Sequence, residues 1–189
     1  MIYYIADMHF GHNNILAFDN RPYNTVAEME DDMIKKWNKK VTQKDTVYVL
    51  GDMFWKNVDG ERILPQLNGN IILIKGNHDK AFCFDKFKIP QYQYLEIKDN
   101  GRNVVLCHFP IPSFNKHYYP NNYHLYGHVH DSWEWHMIEK VRNQMEALYT
   151  TPCEMYNVGC MIPYMKYTPQ TLDEIVEGYN KWKIFNKGD

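Results

Sequence analysis

The chain has 189 residues, 44% hydrophobic and 23% charged. These are ordinary globular values that exclude a disordered chain and suffice for one well-packed core. A net charge of −2 without a dense basic run argues against a protein that wraps long nucleic acid through its phosphates, though a short oligonucleotide remains compatible. Four cysteines without C-x-x-C spacing read as reduced, buried side chains of a cytoplasmic protein. No signal-peptide pattern opens the chain, and no apolar run approaches the ~20 residues of a membrane span.

Ile2 to Ala6 is a short apolar run, expected to be a buried strand that delivers Asp7 at its end. Thr25 with Glu28 forms a capping-box pattern; Val26, Met29, Met33, Ile34, Trp37 and Val41 follow at helical spacing. Thr46 to Leu50 is a second buried strand ending at Gly51-Asp52, and Arg62 to Leu67 reads as the end of a short helix broken near Pro65. Ile71 to Ile74 is a third strand, running into Gly76-Asn77-His78-Asp79. Strand alternating with helix predicts an α/β fold with parallel neighbours, and open α/β sheets place their sites beyond strand C-termini.

Tyr92 to Lys98 and Arg102 to Cys107 are strand-like and joined by Asp99-Asn100-Gly101, a hairpin turn. Leu125-Tyr126 and Cys153 to Val158 are further short strands. Between them, Trp135, Ile138, Val141, Met145 and Leu148 recur as a helix of roughly four turns. Thr168-Pro169 followed by Thr171 opens a last helix, with Thr as cap and Pro suited to its first position. No repeat or linker interrupts residues 1–189, which read as one domain.

Five motifs stand at the ends of apolar runs: Asp7-Met8-His9, Gly51-Asp52, Gly76-Asn77-His78-Asp79, His108, and Gly127-His128-Val129-His130. Each alone is commonly a turn. Together they offer two carboxylates, an amide oxygen and four imidazoles, with a fifth imidazole beside the amide, about what two hard divalent ions require. His128 and His130 would share one face of an extended segment, spaced for adjacent ions. Beyond this set, His12 and Arg21 could reach a phosphate. His117, His124, Tyr118, Tyr119 and Tyr123 read as packing, His136 as a surface residue, and Phe54-Trp55 as either pocket wall or core cover.

In motif order the chain resembles the calcineurin-like metallophosphoesterase superfamily (D-x-H, GD, GNH[DE], H, GHxH). The stretch DMHFGHNNI from Asp7 is similar to small prokaryotic and phage members. Asn157-Val158-Gly159 resembles the family's closing strand segment. The resemblance implies two packed mixed β-sheets flanked by helices, the calcineurin-like phosphoesterase sandwich. It implies Asp7, His9 and His130 on a first metal, Asn77, His108 and His128 on a second, and Asp52 bridging both. It implies His78 as general acid and Asp79 as the group that holds its ring. The implied chemistry is hydrolysis of a phosphodiester or small phosphorylated metabolite by a hydroxide that two metals activate. Oxygen and nitrogen donors suit Mn²⁺ best, with Fe²⁺, Zn²⁺ or Ni²⁺ as alternatives. Gly51-Asp52 continues as Met53-Phe54-Trp55, whereas phosphoprotein phosphatases of the superfamily read GDxVDRG, so a protein substrate is not implied. The other reading is a non-catalytic interaction module on the same scaffold, as in the retromer subunit, which lacks parts of the ligand set. The expected partner is a small phosphate ester or nucleotide, not a membrane.

Overall fold

The computed structural model describes residues 1–185, the side chains of Ala81 and Phe82 aside. Four parallel strands form the first sheet in the order β1 (Ile2–Ile5), β2 (Thr46–Val49), β3 (Asn70–Ile74), β4 (Gln91–Tyr92). The second sheet runs β5 (Tyr94–Asp99), β6 (Arg102–Cys107), β7 (Asn122–Tyr126), β8 (Met155–Asn157), antiparallel at β5–β6 and parallel after it. The sheets meet where Ala6 bridges Gly159, with Ala6 N–H donating to Val158 and Cys160 N–H to Ala6. Tyr4 Oη, donating to Asp99 at 3.0 Å, ties β1 to the β5–β6 hairpin. One continuous apolar cluster fills the interior, from Met29, Met33 and Trp37 to Leu125, Tyr156 and Ile175.

The helices are α1 (Ile15–Phe18), α2 (Val26–Lys40), α3 (Asn57–Ile63), α4 (Ala81–Lys86), α5 (Trp133–Tyr149) and α6 (Leu172–Phe185), with a 3₁₀ turn at Leu64–Gln66 that carries Pro65. Thr25 caps α2 by accepting from Glu28 N–H, but Glu28 reaches back to Asn24 N–H, one residue beyond a closed box. Thr171 and Glu174 close a reciprocal box on α6, so the last helix starts at Leu172 and Pro169 lies outside it.

Two expectations change. The run Tyr92 to Lys98 is divided: Gln91–Tyr92 pairs with β3, and Tyr94–Asp99 pairs with β6 in the other sheet. An apolar run carries no mark of which sheet it joins. On α5, Leu148 is exposed, whereas Arg142 is buried, its guanidinium 4.1 Å from the Tyr179 ring centre and 5.1 Å from that of Tyr156. Stacked on aromatic faces and paired with Glu139 and Glu146, an arginine takes a position that hydrophobic spacing assigns elsewhere.

Register explains why the motifs converge. Ile5 pairs with Val49, and Val49 with Leu73; Leu106 pairs with Leu125. Asp7, Gly51, His108 and Gly127 thus all lie two residues past those rungs, and Gly76 three. Asp7 N–H donates to Gly51 and Gly127 N–H to His108, which extends both ladders to the level of the motifs.

Candidate metal centre

At this edge the chain turns sharply. Asp7, His9, Asp52, His128 and His130 have φ of 56°, 50°, 52°, 70° and 48°, a left-handed conformation that costs a side-chain-bearing residue about 1 kcal/mol or more. His9 N–H donates to Asp52 and Phe10 N–H to Met53, so the two loops run side by side. His128-Val129-His130 is therefore not an extended segment: its two left-handed residues send the rings in different directions. His128 Nδ1 lies 3.0 Å from Asn77 Oδ1, and His130 Nε2 lies 3.3 Å from His9 Nε2.

Glycine is required where carboxylates press against the backbone. A Cβ on Gly127 would stand 2.6 Å from Asp7 Oδ2, and one on Gly76 would stand 2.2 Å from Asp52 Oδ1. Both carboxylates are buried, at 0% and 2% exposure. Asp7 accepts His128 N–H on both oxygens, and Asp52 Oδ1 accepts His78 N–H at 2.9 Å. Asp52 Oδ2 faces His9 Nε2 at 3.7 Å and His108 Nε2 at 3.5 Å. His108 Nε2 is also 3.1 Å from Asn77 Oδ1.

Two donor groups emerge, Asp7–His9–His130 and Asp7–Asp52–His108, the ligand atoms within each lying within 4.8 Å of one another. Burial raises Asp7 above the usual carboxylate range, against the pull of His130 and His108. Burial, then His130 and Arg21, pushes His9 down to about 2, so its ring is neutral at physiological pH and offers a lone pair. His128 is lowered by burial and then by His108. Buried carboxylates facing imidazole nitrogens, with no lysine or arginine lining the cleft among the described residues, are a donor set that fits divalent cations.

The family model for calcineurin-like phosphoesterases matches residues 1–149. The chain belongs to this family. A relative, the uncharacterized protein MJ1445 of Methanocaldococcus jannaschii, is 32% identical over 186 residues, covering 97% of the chain and 93% of the relative. Among solved structures, the protein of unknown function AQ665 from Aquifex aeolicus superposes with a TM-score of 0.69 at 25% identity, covering 94% of this chain and 98% of that one.

Around the donor groups, further contacts fix ring orientation. His108 Nδ1 donates to Leu50 O at 2.7 Å, which leaves Nε2 as its free lone pair. His130 Nδ1 donates to Asp19 Oδ1 at 2.7 Å, and Asp19 Oδ2 accepts from Arg21 Nε and a terminal nitrogen at 2.9 and 2.7 Å. Asn157 Nδ2 donates to His130 O. Asp19 belongs to no motif and was not anticipated.

Two anticipated roles are not what the structure places. Arg21 does not face the cleft. Its guanidinium is buried and donates to the carbonyls of Asp7 and Met8, both at 2.8 Å, as well as to Asp19. Asp79 does not hold the His78 ring. It accepts N–H groups of Gly76, Asp52 and Met53 at 2.8, 2.8 and 3.0 Å, which pins the second motif to the third. These buried amides demanded an acceptor.

His12 and His78 do line the cleft, which encloses about 350 Å³. His12 lies flat on Trp55, with centroids 3.8 Å apart and planes 6° apart, and His78 meets Trp55 at 5.3 Å. Trp55 is thus cleft wall, whereas Phe54 is core. Phe18 and Glu134, also in the wall, carried no sequence signal. His124 is packing: fully buried, it accepts from Ile111 N–H and donates to Val105 O.

Proposed function

We propose that the protein is a dinuclear metal-dependent hydrolase of phosphoric esters. The observation that carries this reading is Asp52 Oδ2, set between His9 Nε2 at 3.7 Å and His108 Nε2 at 3.5 Å, where one carboxylate oxygen can serve two cations. Asp7 also lies near both groups, but the His108 atom it approaches at 4.0 Å is Nδ1, already donating to Leu50. Asp52 would therefore be the shared ligand. Asp7, His9 and His130 would complete a first site, and Asn77, His108 and His128 a second. When bound, the ions lower the pKa of a shared water and offset phosphate charge; Mn²⁺ suits the oxygen and nitrogen donors.

The chain itself supplies the rest. Left-handed loops zipped to one another hold the donors in place before substrate arrives, which is the preorganisation that positioning catalysis needs. The His78 ring lies in the cleft wall, and its nitrogens have no hydrogen-bond partner among the described residues. It would hold the proton donated to the leaving oxygen, a role worth ~10²–10⁴-fold. Asp79 assists by fixing the loop that carries His78, not by polarising the ring. Among the described residues no helix is long and apolar enough to cross a membrane, and four free, buried cysteines support a reducing, cytoplasmic location.

The test is hydrolysis of bis-p-nitrophenyl phosphate and p-nitrophenyl phosphate by chelator-stripped protein, before and after adding Mn²⁺, with Asp52→Asn alongside. Metal-restored turnover that the variant loses is expected. Absence of turnover with every divalent ion would overturn the reading in favour of a binding module.

A further inference from the structure

Beside the donor atoms, the cleft is apolar and acidic. Ile15, Phe18, Trp55 and Val129 line it, with His12 stacked on Trp55 and Glu134 at the rim. Phe18 is 75% exposed, its ring edge-on to His130 at 5.7 Å. A large aromatic side chain left in water beside the candidate donor groups, in the same cleft as a second aromatic stack, offers planar faces to a ligand. The His12 ring makes no hydrogen bond among the described residues, and its Nδ1 is buried without a partner. Its tautomer is therefore free to suit a donor or an acceptor on a ligand edge.

Charge narrows the ligand further. Among the described residues no lysine or arginine lines this cleft, and the one acidic residue outside the donor set is Glu134, in the first turn of α5. A second anionic group on the substrate would find no lysine or arginine among the described residues and would meet a carboxylate. At about 350 Å³ the space is at the small end of the ~300–1,000 Å³ range of ligand sites, enough for a phosphate and one ring system.

Resting on the phosphoesterase reading, we propose that the substrate is a phosphate ester with one uncharged planar ring of nucleobase kind. The ring is seated against Phe18 and the His12–Trp55 stack, and Glu134 rejects substrates with further anionic groups. Phe18, Trp55 and His12 are specificity residues here; the reacting groups are elsewhere.

The experiment is isothermal titration of Mn²⁺-loaded protein, which reads binding without turnover. The probes are inorganic phosphate, phenylphosphonate, cyclohexylphosphonate and 4-carboxyphenylphosphonate. Phenyl and cyclohexyl groups are similar in apolar bulk and differ in planarity. Stacking is worth ~1–3 kcal/mol per ring, so phenylphosphonate is expected to bind at least about fivefold more tightly than its cyclohexyl counterpart. Phe18→Leu, at an exposed position that folding does not depend on, should bring that ratio near one, as should Trp55→Leu. The carboxyphenyl probe should bind weakly to wild type and recover in Glu134→Gln. Equal affinity for the two ring probes, or a ratio that neither leucine variant moves, overturns the ring site while phosphate binding leaves the phosphoesterase reading intact. Failure to bind phosphate as well would overturn both.

Discussion

Replacing Asp19 by Asn separates the two tasks of a residue that no motif announces. Its Oδ1 accepts His130 Nδ1–H and its Oδ2 accepts two Arg21 donors, with the three side chains 2%, 10% and 0% exposed. An amide keeps one accepting oxygen and turns two hydrogens towards groups that are themselves donors. If the oxygen stays on His130, Arg21 loses its anion and faces an NH₂ group. Breaking a buried ion pair costs ~3–5 kcal/mol; the lower end applies, because Arg21 retains the carbonyls of Asp7 and Met8. If the amide turns the other way, His130 loses its acceptor, and such orienting partners are worth ~10–100-fold in metal affinity. Both losses are measurable. Urea unfolding in excess chelator should show a stability lower by about 3 kcal/mol, and Mn²⁺ titration of the folded variant should show affinity weaker by ~10–100-fold. A folded Asp19→Asn protein that binds Mn²⁺ like wild type would refute the argument, since His130 would then be oriented by other contacts.

Three other outcomes follow from the same geometry. His78→Ala should leave Mn²⁺ stoichiometry intact and lose more rate on esters with poor leaving groups than on nitrophenyl esters; equal losses would show that His78 stabilises phosphate charge without donating a proton. Gly127→Ala puts a methyl group 2.6 Å from Asp7 Oδ2 and 2.7 Å from Ala6 Cβ, so it should destabilise by ~1–3 kcal/mol and weaken Mn²⁺ binding, with urea midpoint and metal content as readouts. Burial holds His124 down to about 4, below the ordinary imidazole value of about 6.5. A depressed imidazole contributes its full stability above the unfolded value and loses it as pH falls, so metal-free protein should lose about 2 kcal/mol from this residue between pH 7.5 and pH 5. His124→Gln should show that much less pH dependence in urea titrations; an unchanged slope would assign the acid sensitivity to other groups.

The convergence of the candidate donor residues was readable because it depends on regular features. Apolar runs of strand length end at Asp7, Gly51-Asp52, Gly76 and His108, and a shared register brings those ends to one level. The flanking glycines were readable for a second reason: at Gly76 and Gly127 the carboxylate occupies the space of a Cβ, so the chemistry leaves its trace in the sequence beside the ligand. Sheet membership at Gln93 left none, because a kink between two strand-like segments has no period of its own.

Polar residues close to the motifs misled for a common physical reason. Asp79 and Arg21 adjoin the site in sequence or in function, and a reading from chemistry alone aims Arg21 at substrate and Asp79 at the His78 ring. The left-handed turns that present the ligands also strand main-chain groups away from their ladders, and a buried N–H or C=O must find a partner before any side chain is free for catalysis. Asp79 meets three such N–H groups and Arg21 two such carbonyls. The residues left to act on a substrate are therefore those the backbone does not claim. His12 and His78, both in the cleft wall with rings that hydrogen-bond to no described residue, meet that condition.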